Sequence, residues 1–172
     1  MSEPKLICPT CGQVLGEDEK ICPKDHGVTG GVHGVPAEIF ESTPRAKRHL
    51  LGVTIGDAYV INGYLGSGGF GAVYRAEQKA LGRDVALKLL MLDMVGDETV
   101  IQRFKREART AAAILDPNVV TLFDYGEASV GPADEDQVLY IAMELVYGPT
   151  VRQLVKRQGG LGLHGAVQVG LN

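Results

Sequence analysis

Six residues, Gly66-Ser67-Gly68-Gly69-Phe70-Gly71, fit the pattern G-x-G-x-x-G and sit between two short apolar runs. Glycine lets a backbone come close to a phosphate and take positive φ without steric cost. The element after the glycines decides between folds. A dinucleotide-binding loop needs a strand before the glycines and a helix directly after them. Here Ala72-Val73-Tyr74-Arg75-Ala76-Glu77 alternates as a strand does, and a turn comes next at Leu81-Gly82-Arg83-Asp84. A Walker-type loop needs Lys-Ser/Thr after its last glycine, and Gly71 is succeeded by Ala72-Val73. The cluster therefore reads as a flap joining two antiparallel strands. Taken alone it reads first as an ordinary glycine-rich hairpin turn, so its meaning depends on its neighbours in the chain.

Those neighbours alternate short strands with one good helix. Tyr59 through Leu65 is β-like, and Val85-Ala86-Leu87-Lys88-Leu89-Leu90 is a third, mostly apolar strand. From Glu98 to Leu115 the period changes. Val100, Ile101, Phe104, Ala108, Ala111, Ile114 and Leu115 recur at three and four, which predicts an amphipathic helix. Asp116-Pro117-Asn118 stops it. Two more strands are expected over Val119 to Tyr125 and Val138 to Val146. The order β-β-β-α-β-β predicts an α+β fold, a five-stranded antiparallel sheet carrying one helix. A short helix from Thr150 to Arg157 and a further helix from His164 to Leu171 complete the expectation.

Upstream, the composition shifts twice. All three cysteines lie in residues 1–27. Residues 28–50 carry Gly30-Gly31, Gly34, Pro36, Pro44 and a basic run, lack a clear period, and read as a linker. Residues 51–172 form the main domain. The formal net charge of −4 argues against a general nucleic-acid binder. No apolar run approaches the roughly 20 residues of a membrane span. Met1-Ser2-Glu3-Pro4-Lys5 lacks the build of a signal peptide, so the chain reads as cytoplasmic. In that setting an odd, clustered set of thiols points to metal before disulfides.

Together these elements resemble the protein kinases. Leu65 through Tyr74 is similar to their glycine-rich loop, and Val85-Ala86-Leu87-Lys88 to the V-A-I-K of their third strand. Arg103-Phe104-Lys105-Arg106-Glu107-Ala108 resembles the αC helix of bacterial serine/threonine kinases. Asp116-Pro117-Asn118-Val119-Val120 resembles their H-P-N-I-V turn, with Asp for His. Tyr140 through Gly148 resembles the fifth strand and hinge. The resemblance implies the nucleotide-binding lobe, with ATP as ligand. It implies that Lys88 pairs the α- and β-phosphates and that Glu107 holds Lys88 in an ion pair. From the residues alone, Lys88 also fits a snorkelling strand-edge lysine, and Glu107 a solvated partner of Arg103. The resemblance further implies that Leu65, Gly66, Ser67, Gly68, Gly69, Phe70, Gly71, Val73, Ala86 and Met143 surround the nucleotide. Glu144 and Val146 would offer main-chain groups to adenine.

Cys8-Pro9-Thr10-Cys11-Gly12, then Cys22-Pro23-Lys24-Asp25-His26-Gly27, resembles a small zinc ribbon. Tetrahedral Zn²⁺ takes four ligands. Cys8, Cys11 and Cys22 supply three, and Asp25 stands where a fourth cysteine would be, so Asp25 or His26 is the candidate fourth. A redox role for Cys8 and Cys11 lacks the βαβ setting it needs. His33, His49 and His164 are isolated and read as surface residues. The sequence holds no His-Arg-Asp, no Asp-Phe-Gly and no Ala-Pro-Glu. The family therefore implies no catalytic base and no Mg²⁺-holding aspartate here. The expectation is a truncated kinase, competent for nucleotide and inactive in transfer. The rival reading is a non-catalytic protein in which the module and lobe serve a protein partner, its identity unknown.

Overall fold

The computed structural model describes residues 4–68, 71–91, 98–131, 136–160 and 162. The chain begins with a small cysteine module. Its strand β1 (Leu6–Ile7) pairs antiparallel with β2 (Val35–Pro36), Leu6 opposite Pro36 and Ile7 opposite Val35. Between them the chain folds back twice, through single bridges Ile7 to Val14 and Ile21 to His33. Cys8, Leu15, Cys22 and Val32 are buried together at its centre.

Residues 28–50, expected as a linker, contain β2, helix α1 (Ala37–Ser42) and a 3₁₀ turn (Arg45–Leu50). Thr43 ends α1, its N–H and hydroxyl both donating to the carbonyl of Ile39, the hydroxyl at 2.7 Å. The Arg48 guanidinium lies 4.4 Å over the Phe40 ring and donates through Nε to the Thr43 carbonyl. Val35 and Leu50 then enter the core of the main sheet.

That sheet has six antiparallel strands where five were expected. They are β3 (Thr54–Ile55), β4 (Tyr59–Gly68), β5 (Gly71–Gln78), β6 (Arg83–Met91), β7 (Leu122–Val130) and β8 (Asp136–Glu144). Their order is β3-β4-β5-β6-β8-β7. The additional strand is the two-residue β3, too short to show a period. The sheet curls until its ends approach: β3 lies against β7. There the Tyr59 hydroxyl on β4 and the Tyr140 hydroxyl on β8 both donate to Asp124 Oδ2 on β7, each at 3.1 Å. Burial first, then that carboxylate, pushes the Tyr59 phenol up to about 12.

Strand β6 shows how the sheet divides its two faces. Val85, Leu87 and Leu89 join one apolar cluster with Tyr59, Ile61, Tyr74, Leu50, Leu51 and Val53. That face is covered by the chain between Val35 and Val53. The alternate residues of β6 point the other way, as a period of two requires. Leu90 there packs with Leu139, Ile141, Phe104 and Ala108. Phe104 and Ala108 belong to helix α2 (Glu98–Ala112), whose apolar stripe lies on this second face. Burying a side chain such as Phe104 contributes about 2–3 kcal/mol before entropy.

Several boundaries differ from expectation: β4 and β7 run on to Gly68 and Val130, β8 spans Asp136–Glu144, and two further shifts have a visible cause. Helix α2 ends at Ala112, and its last turn tightens into i→i−3 bonds, Ala113 to Thr110 and Ile114 to Ala111. Ile114 and Leu115 are therefore exposed, outside the buried stripe. Strand β7 starts at Leu122, because residues 117–119 are occupied by a turn in which the Asn118 N–H is taken by the Asp116 carboxylate. Helix α3 (Val151–Gln158) opens on a capping box, Thr150 and Gln153 each bonding the other's backbone N–H. The helix expected over His164 to Leu171 lies outside the described residues. No helix among the described residues is long and apolar enough to cross a membrane.

Candidate functional site

The second face of the sheet carries an open cleft of about 500 Å³ between β4, β5, β6, β8 and α2. Leu65, Gly66, Ser67, Gly68, Gly71, Val73, Lys88, Glu107 and Met143 line it. Gly69 and Phe70 lie outside the described residues. The register explains the lining. Val73 is opposite Lys88, and Arg75 opposite Ala86, on adjacent strands. Met143 is opposite Ala86 on the other side. Ala86 is nearly buried, two residues from Lys88 on the same face. Glu144 and Val146 follow Met143 in the chain; Glu144 donates its N–H to the Thr121 carbonyl, and Val146 is exposed beyond the end of β8.

Lys88 and Glu107 meet. The ammonium Nζ stands 2.6 Å from Glu107 Oε1, with the Phe104 ring 5.7 Å from the cation. The Lys88 side chain is 16% exposed and that of Glu107 50%. A pair so open to water adds little to stability. Its effect is positional: the cation is held at the cleft wall by a carboxylate on a different element.

The glycines of the flap divide into two kinds. At Gly71, φ is +125° and an added Cβ would stand 2.1 Å from the Leu89 carbonyl oxygen, so the fold itself demands glycine there. At Gly66 and Gly68 a Cβ would meet nothing within 4 Å among the described residues, and φ is not in the left-handed region. The fold makes no such demand at those two positions.

A second cluster lies in the module. One donor atom each from Cys8, Cys11, Cys22 and His26 falls within 4.8 Å of the others. His26 Nε2 is 3.3 Å from Cys8 Sγ and 3.2 Å from Cys22 Sγ, and Cys11 Sγ is 3.9 Å from Cys22 Sγ. Asp25 is not brought in; its carboxylate accepts from the Gly27 N–H at 2.7 Å and shapes the turn that presents His26. Two knuckles place the thiols. In the first, the Gly12 N–H returns to the Cys8 carbonyl. Burial pushes the Cys8 thiol up to about 11, whereas a backbone bond from Gln13, first among its contacts, holds Cys11 below its ordinary value. A buried thiol beside two more and an imidazole is costly to ionise unless a cation shares the site. The four donors are capable of binding a metal. His33, expected at the surface, is half-buried where the module meets the sheet, and burial lowers its pKa.

Sequence reasoning missed one constellation on the cleft face. Asp84 accepts from Arg75 at 2.6 Å, from Asn62 at 3.4 Å and from the Tyr147 hydroxyl at 3.2 Å. The period of two from Lys88 through Ala86 reaches Asp84, but Leu81-Gly82-Arg83-Asp84 reads as a turn and hides it.

A curled antiparallel sheet with one packed helix, a glycine flap and a lysine–glutamate pair facing the same cleft define a kinase-type small lobe. The model of the protein kinase domain matches residues 59–169, and the chain belongs to the protein kinase family. It is 39% identical over 112 residues to the serine/threonine-protein kinase PrkC of Bacillus subtilis, covering 65% of this chain and 16% of that protein. It is 36% identical over 119 residues to PknA of Mycobacterium tuberculosis, covering 69% and 27%. With pkn3 of Myxococcus xanthus the identity is 37% over 116 residues, covering 67% and 20%. The chain thus spans between 16% and 27% of the length of these curated relatives.

Proposed function

We propose that the cleft binds ATP, with the triphosphate under the flap and Lys88 on its α- and β-phosphates. The observation that carries this reading is the open space at Gly66 and Gly68. Among the described residues nothing demands glycine at these two positions, which suits close approach of a ligand from outside, above a cation held at 2.6 Å by Glu107. In this reading α2 is the αC helix, Val73 and Ala86 flank the adenine, Met143 backs it, and main-chain groups of Glu144 and Val146 hydrogen-bond it. The 172 residues contain no His-Arg-Asp and no Asp-Phe-Gly. Phosphoryl transfer and its Mg²⁺ are therefore not assigned to these residues, and the lobe's part is to grip the nucleotide.

Calorimetric titration with ATP tests this. Lys88→Met removes one charge-assisted contact and weakens binding about tenfold to a hundredfold, with the unfolding temperature unchanged. Absence of ATP binding by the unaltered chain rejects the reading and favours a protein-binding lobe.

Cys8, Cys11, Cys22 and His26 are proposed to hold a structural Zn²⁺. A donor set of three sulfurs and one imidazole with no carboxylate suits zinc in a closed tetrahedral site. Native mass spectrometry of the purified chain reads one Zn²⁺ per molecule if this is right, and none in Cys8→Ser.

A further inference from the structure

Strand β8 carries Met143 into the cleft lining and ends at Glu144, and a short segment then leads to α3. Tyr147 is in that stretch. It is 75% exposed, so packing does not fix its ring. Its hydroxyl reaches back to Asp84, 63 residues earlier in the chain. Asp84 stands on β6 four residues before Lys88 and two before Ala86, on the same face. The contact therefore joins the strand that carries Lys88 to the segment that follows Met143.

Asp84 is built to serve as an anchor. Its Oδ2 accepts from both Arg75 and Tyr147, and its Oδ1 from Asn62, so neighbouring strands β5 and β4 orient the carboxylate. The positions are costly to fill this way: Arg75 Nε and Asn62 Oδ1 are buried without a hydrogen-bond partner.

We infer that Asp84 and Tyr147 are positioning residues, which fix the distance between β6 and residues 144–148 and so the width of the slot for the nucleotide base. This rests on the ATP reading of the cleft. It separates base recognition from phosphate recognition, because Lys88 and the flap handle the phosphates at the other end of the cleft.

Tyr147→Phe keeps the ring and deletes the hydroxyl. In the full chain, ATP affinity falls about threefold to tenfold, the worth of one hydrogen bond. Affinity for inorganic tripolyphosphate, which lacks a base, stays the same, as does the unfolding temperature. Amide hydrogen exchange at residues 145, 146, 147 and 148 speeds up in the free protein. Unchanged ATP affinity in the variant, or a parallel loss for tripolyphosphate, overturns the inference. If the unaltered chain binds no ATP, the ATP reading fails first, and unaltered exchange at 145–148 in Tyr147→Phe then overturns the anchoring separately.

Discussion

The cysteine module and the sheet lobe solve the same problem with unequal means. The module buries Cys8, Leu15, Cys22 and Val32 in its own centre, and two of those four are prospective ligands. Among the described residues, the two faces of the sheet bury sixteen and five residues. A core of two apolar side chains cannot offset the entropy of ordering some thirty residues, since small domains rely on metals or disulfides for the shortfall. The lobe's core is several times larger. Yet the two are not independent. Val35 on β2 belongs to the core of the lobe, Val28 packs against both cores, and the His33 N–H donates to the Gly52 carbonyl at 2.9 Å. The weaker unit is seated on the stronger one.

Three measurements break or sharpen that contrast. The largest effect is expected from removing the proposed Zn²⁺. Chelation, or Cys8→Ser, abolishes hydrogen-exchange protection at the Cys8 and Cys22 amides, which donate to Gln13 and Val32. Apparent metal-binding energies of about 10 kcal/mol or more are lost in such sites. Protection in β5 and β6 persists. If the module stays protected without metal, the contrast fails, because its fold would then stand on side-chain packing alone.

Next is the joint. Gly52 has φ +75°, and a Cβ there would stand 2.2 Å from the His33 carbonyl oxygen. Gly52→Ala costs about 3 kcal/mol from strain and displacement of backbone. Denaturant unfolding read by tyrosine fluorescence and by module exchange should then show two transitions where the unaltered chain shows one. A single transition in Gly52→Ala would mean that Val35 and Val28 alone keep the units coupled.

The smallest effect comes from the lobe's own electrostatics. The Arg75 guanidinium first, with further bonds from Asn62 and Tyr147, holds the Asp84 carboxyl below its ordinary value despite burial. A depressed carboxyl contributes stability that is fully present above its unfolded pKa of about 3.9 and lost as pH falls through the lower folded one. Arg75 is 41% exposed, so solvent screening limits the contribution to about 1 kcal/mol. Asp84→Asn removes this acid limb from the stability profile and leaves neutral-pH stability lower by a similar amount. A profile with the same acid limb in the variant would assign it to other carboxylates.

Where a period can be counted, the sequence is informative. Strands β4, β5, β6 and β8 and helix α2 are long enough for apolar residues to recur, and the pattern alone sets Lys88 on a strand and Glu107 on the helix that packs against it. The segment 28–50 is not legible in this way. Its buried residues, Val32, Val35, Thr43 and Leu50, fall at irregular spacing because its elements run two to six residues and pack one side chain at a time. The choice of His26 over Asp25 turns on a side-chain-to-backbone bond within one turn, which no spacing rule encodes. Tyr147 and Asp84 are joined across 63 residues, and nothing in the local pattern of either names the other.

The cover over the sheet's first face decides where the protein can be divided. Composition suggests a cut near residue 50. A polypeptide starting there would lose Val35 and Leu50 and bare the buried rings of Tyr59 and Tyr74. It would also leave the Tyr74 hydroxyl without the Lys47 carbonyl, 3.4 Å away. The excised piece would present a broad greasy plane beside unpaired strand edges, the usual recipe for self-association and poor solubility. Expression of the nucleotide cleft for study therefore calls for keeping the residues ahead of it.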